Sequence, residues 1–225
     1  DEPRWHGLAA SICQALPDQE AAVELQETFH HLEEAIRLEP KHLPFYLSLG
    51  EIALSHKASN ATLQTKATRL LERAARIHAS NSEIWLQLAQ LHTKGGQSAN
   101  LEQAARCAEQ AIQHATALPK GGKDIRAHLL RAEIALRQGH PEQALPYIEK
   151  AQAGDPGSLE ALLVQVRALK AMDQPTQALK VLERVIPLVE DSLPLALQRV
   201  ELLVQANEYE SALALLNQLA TAYPT

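Results

Sequence analysis

Apolar and small residues recur along the second half of the chain with a period longer than any one helix. Frames starting at Ile125, Leu159 and Leu193 lie 34 residues apart and align without gaps. Each opens with an amphipathic run whose apolar positions fall three and four apart, the spacing of one helix face. A small or β-branched residue recurs in it at Ala132, Val166 and Val200. A turn residue follows at Gly139, Asp173 and Asn207. A second run then carries Ala144, Ala178 and Ala212, next Ile148, Leu182 and Leu216, and last Ala151, Val185 and Leu219. The pattern predicts two helices per frame joined by a tight turn. A fixed period of this length marks stacked units that share one continuous core. No window alternates with period two between turn signals, so no strand is expected.

The same frame extends upstream with looser turns. Residues 82–124 place Trp85, Leu88, Ala89 and His92 on a first helix, then Gly95-Gly96, then a second-helix ladder of Ala104, Ala108 and Ala111. Residues 43–81 repeat this with Tyr46, Leu49, Gly50 and Ala53 followed by Ala67, Leu71 and Ala74. Residues 2–42 fit least well: Trp5, Leu8, Ala9 and Ile12 form the first helix, and Thr28, Leu32, Ala35 and Pro40 close the second. A longer turn lies between them, and Pro17-Asp18 is its expected helix start, with Asp as the cap. The expected organisation is three long-turn repeats over 1–124 (2–42, 43–81, 82–124) and three regular ones over 125–225 (125–158, 159–192, 193–225). Pro119-Lys120-Gly121-Gly122 is the most linker-like stretch between them, and the whole forms one continuous stack.

The 34-residue period with Ala132, Gly139, Ala144, Ile148, Ala151 and Pro156 resembles the tetratricopeptide repeat, a helix–turn–helix unit of that length. Leu49-Gly50 is the best match to that family's Leu-Gly pair. The repeats diverge from the family at two positions. The early aromatic is His128, Leu162 and Ala196, and the leucine preceding the small residue is Arg131, Gln165 and Arg199. The resemblance implies an all-α fold, a right-handed α-solenoid of about six repeats. It also implies a scaffold or adaptor function, with first helices lining a concave groove that holds a partner peptide or helix.

Composition narrows the function further. Apolar residues make up 46% of the chain and aromatics only 4%, so alanine and leucine must build the core. Net charge is −6, with 9 Lys/Arg against 12 Asp/Glu in residues 125–225, which leaves −3 for each half. No basic cluster exists to draw nucleic acid, and no apolar run reaches the roughly 20 residues of a membrane helix. No compartment signal is readable, and the cytoplasm is the default setting. Phosphate loops, nucleophile elbows and metal motifs are absent, so no catalytic residue, metal or cofactor is expected. His30, His31 and His42 lack ligand spacing. Cys13 and Cys107 stand in no motif and read as buried free thiols.

Under the resemblance, inward positions of the first helices become candidate partner contacts. One is leucine in five repeats: Leu47, Leu86, Leu129, Leu163 and Leu197. Four residues on stand Glu51, Gln90, Glu133, Arg167 and Glu201. Three further stand Leu54, Thr93, Leu136, Lys170 and Val204. Spacings of four and three keep these on one face. An apolar stripe flanked by acids and amides suits an apolar segment bearing some positive charge. The alternative is that the leucines pack against the second helices. The family's carboxylate-gripping clamp of Lys, Asn and Arg is not reproduced, since only Arg167 and Lys170 are basic here. The last helix is apolar on more than one side, at Leu213, Leu215, Leu216 and Leu219, and no polar cap follows. Two expectations fit this: a fragment of a longer chain, or self-association through that end. A regulatory array of a larger multidomain protein is the further alternative.

Overall fold

The computed structural model describes residues 21–55, 61–94, 100–115, 122–189 and 192–222. Among these, eleven α-helices and one 3-10 turn occur, and no strand. The predicted first helix on Trp5–Ile12 and the Pro17-Asp18 start lie outside the described residues, as does Cys13. The chain divides into two compact units, Asp1–Lys120 and Gly121–Thr225.

The first unit holds α1 (Ala21–Leu38), α2 (Leu43–Ser55), α3 (Ala61–Ile77), α4 (Ser82–Lys94) and α5 (Leu101–Ala115). Each helix packs on the next, and α2 also packs on α4. The contact of alternate helices is what stacking hairpins produces. The core is the expected ladder: Leu32 and Ala35, then Leu49 and Ala53, Ala67, Leu71 and Ala74, Ala104, Ala108 and Ala111, all buried. Side-chain caps fix the helix starts. Asn81 Oδ1 accepts from the amides of Glu83 and Ile84 at 3.1 and 3.2 Å, and Asn100 Oδ1 from that of Gln103 at 3.0 Å. The early aromatics tie each hairpin to the turn before it. Tyr46 Oη donates to the Pro40 carbonyl at 2.9 Å, and Trp85 Nε1 to that of Ala79 at 2.7 Å. Gly50 sets how near α4 comes to α2, because a Cβ there would stand 2.1 Å from Gln87 Oε1.

The second unit holds α6 (Gly122–Arg137), α7 (Pro141–Gly154), α8 (Leu159–Ala171), α9 (Pro175–Val185), the 3-10 turn Ile186–Leu188, α10 (Leu193–Gln205) and α11 (Tyr209–Ala222). Helix α6 starts three residues ahead of the Ile125 frame. Gly139, Asp173 and Asn207 adopt φ of 78°, 56° and 63°. These are the three aligned turn positions. At each, the residue after the turn residue donates back five positions: His140 to Ala135, Gln174 to Leu169 and Glu208 to Leu203, at 2.8–3.0 Å. This left-handed cap satisfies the last carbonyls of each first helix. Pro141 and Pro175 then start the second helices at N1, where no amide hydrogen is needed.

The aligned core positions are buried with two departures, both in the last helix, where Leu219 is half-buried. Ile148 and Leu182 are fully enclosed, whereas Leu216 is 40% exposed. That position faces the next hairpin in a stack, and no described element packs over Leu216. At the divergent aromatic position, His128 is buried beside Tyr147, with ring centroids 6.1 Å apart, and the Arg131 guanidinium lies 5.0 Å from the same ring. A cation–aromatic pair thus fills the space the missing aromatic and leucine leave.

Candidate functional site

Within the second unit, four residues of the candidate set on α6, α8 and α10 form two ion pairs. Arg167 Nη2 reaches Glu133 Oε1 at 2.6 Å across 34 residues, and Lys170 Nζ reaches Glu201 Oε2 at 2.5 Å. Each pair bridges one first helix to the next. Exposed pairs of this kind contribute about 0–1 kcal/mol, so their importance is positional. They place the acids and bases of the set on one strip and balance their charge.

The leucines of the set divide by burial. Leu86 and Leu129 are each 2% exposed and serve the core. Leu47 and Leu163 are half-buried, and Leu197 is 50% exposed. In the first unit, Glu51 is exposed and Gln90 half-buried. Two residues outside the candidate set link α4 to α2 there. Gln87 Nε2 donates to the Leu47 carbonyl at 3.2 Å, and Lys94 Nζ caps the C-terminal end of α2 at the Leu54 carbonyl. Burial pushes the Lys94 ammonium below its usual pKa. Their signal in the sequence is slight: a polar residue on a first helix, 40 positions after the carbonyl it meets.

A second feature of the first unit is a cavity of about 320 Å³ lined by Glu72, Trp85, Leu88, His92 and Cys107. Burial lowers the His92 pKa, with the nearby Glu72 opposing it. Burial first, and Glu72 second, push the Cys107 thiol up to about 11. The thiol is free and buried, and this environment holds it protonated and unreactive. Among the described residues no cluster of three or more His, Cys, Asp or Glu could hold a metal ion. No described helix is long and apolar enough to cross a membrane.

Two family models described as tetratricopeptide repeat match the chain, one over residues 96–158 and one over 135–198. Among curated proteins none matches in sequence. Solved structures share the fold at low identity. PilW, a widely conserved type IV pilus biogenesis factor, is 16% identical with a TM-score of 0.74, covering 97% of this chain and 94% of that one. The pilF protein of Pseudomonas aeruginosa is 14% identical with a TM-score of 0.71, covering 99% and 94%. YrrB, a tetratricopeptide-repeat protein with an unusual peptide-binding site, is 14% identical with a TM-score of 0.65, covering 86% and 92%.

Proposed function

Since the chain belongs to the tetratricopeptide-repeat family, whose members generally mediate protein–protein interaction, we propose that it is an interaction scaffold that holds a partner segment along its first helices. The single observation that carries this reading is the strip of Glu133–Arg167 and Lys170–Glu201 pairs, which join candidate positions of successive first helices. A half-buried Leu163 and an exposed Leu197 flank it and offer apolar surface to a ligand. YrrB, on the same fold, has a peptide-binding site, which supports a peptide as the class of partner. In the first unit the corresponding candidate positions are Leu47, Glu51 and Gln90, and Glu51 is the acid there that would receive a positive charge. Leu86 and Leu129 act beneath it as packing. The reading gives the protein no catalytic role.

The test is site-specific photo-crosslinking. A benzoylphenylalanine placed at Leu163, Arg167 or Glu51 is expected to capture the same partner. One placed at the exposed Gln177 on a second helix is expected not to. Equal yields at all positions would end the groove reading.

A second reading, self-association, rests on Leu213 and Leu216, which are 61% and 40% exposed on α11. Here light scattering should show a dimer that Leu213→Glu with Leu216→Glu dissociates. A concentration-independent monomer would refute it.

A further inference from the structure

A cleft of about 590 Å³ lies among the 3-10 turn after α9, the start of α10 and the end of α11. The preceding repeat shows why it is open. There, Gln165 accepts a hydrogen bond from Gln152 at 2.8 Å. Thirty-four residues on, the two positions are Arg199 and Ile186, which cannot pair. The early first-helix position is the buried Leu162 in the fifth repeat and the short Ala196 in the sixth. Pro187 lacks an amide hydrogen, and α9 ends as an α-helix at Val185. In the regular fourth repeat the same last turn, up to Gly154, stays α-helical, whereas here its counterpart Ile186–Leu188 is the 3-10 turn. A lost hydrogen bond, a shortened side chain and a helix end tightened into a 3-10 turn thus coincide at one place.

The walls are apolar, with Ile186, Leu193, Leu195, Leu215 and Leu219 among them, and Arg199 stands inside. Its Nε is buried with no hydrogen-bond partner among the described residues. The residue as a whole is half-buried, and its guanidinium is the only charged group of the lining, so an incoming carboxylate would answer that charge. Mostly apolar walls with a few polar groups, here Ser192, Gln218 and the charged Arg199, are the make-up of a binding cleft.

We propose that this cleft is a second docking site, which takes the face of a partner's amphipathic helix carrying apolar side chains and one glutamate or aspartate a turn away. The inference rests on the interaction reading above. A helix satisfies the cleft because residues at i, i+3 and i+4 share a face, so apolar and acidic groups enter together. In an extended segment adjacent side chains point oppositely. The required charge is negative, the reverse of what Glu51 asks of a partner.

The probe is a fluorescein-labelled, end-capped designed helix of roughly 16 residues, with Leu at i, i+3 and i+7 and Glu at i+4, measured beside its Glu→Gln twin. Fluorescence anisotropy should give about tenfold tighter binding for the Glu form. Arg199→Met should erase that difference. Ala196→Leu, which restores the side chain of the fifth repeat, should abolish binding of both while keeping or raising Tm. Twins that bind alike, binding unaffected by Ala196→Leu, or displacement of the helix by free octanoate at equal concentration would each overturn the proposal. Partner crosslinking at Leu163 in the Ala196→Leu protein separates the two failures: if it persists, only the cleft is lost.

Discussion

Gly139, Asp173 and Asn207 meet the same backbone demand with three different side chains. A left-handed φ costs an ordinary residue roughly 1–2 kcal/mol, while Gly adopts it freely and Asn and Asp tolerate it. Nothing lies within 4 Å of where a Cβ on Gly139 would stand, so a substitution there reports conformation alone. Gly139→Ala should lose about 1 kcal/mol in urea unfolding, and Asp173→Gly should gain up to about 1 kcal/mol. Equal stability of all variants would show that the turn carries no strain. Cys107 gives a second residue-scale measurement. With its thiol near 11 rather than 9, thiolate at pH 8 falls about a hundredfold. In a Cys13→Ser background, reaction with Ellman's reagent should therefore be at least tens of times slower in the native protein than in urea. The turn positions were legible because alignment at 34 residues puts Gly, Asp and Asn in one column. That Cys107 is a buried free thiol was legible too, but that it lines one cavity with His92 was not, because no local pattern couples residues fifteen apart on different helices.

At the scale of one helix, α7 carries Pro146 in its interior, on an exposed position. The ring removes the bond that an amide there would make to the Glu142 carbonyl. Pro146→Ala should stabilise the protein by about 2–3 kcal/mol, visible as a higher urea midpoint with unchanged slope. A loss of stability would mean that α7 depends on the break. The helices themselves were legible from the three-and-four spacing of Ala and Leu. What spacing left open was the duty of each leucine on the first helices. Leu86 and Leu129 share a column with Leu47, Leu163 and Leu197, yet two are enclosed and one is half exposed. Periodicity gives the face of a helix, whereas burial depends on how closely neighbouring helices approach.

At the scale of the molecule, the second unit encloses its own core: Leu129, Ala132, Ile148 and Val164 in one cluster, and Leu162, Val166, Leu182 and Leu202 in another. The fragment Gly121–Thr225 should then fold alone, with a helical far-UV spectrum and a cooperative melt. A fragment without a transition would show that its core needs the first unit.

The sequence by itself determined the repeat, the two helices of each of the last five units, the turn residues of the last three and the all-helical class, because all of these follow from spacing along one chain. The tertiary structure decided which charges answer one another and which aligned leucines are enclosed. It also revealed the cleft at Arg199. The sequence already held Ala196, Arg199 and Ile186 in their repeat columns, but Ile186 sits opposite Arg199 only once α9 packs on α10. Which atoms meet depends on distances between helices, and those are set by packing rather than by order along the chain.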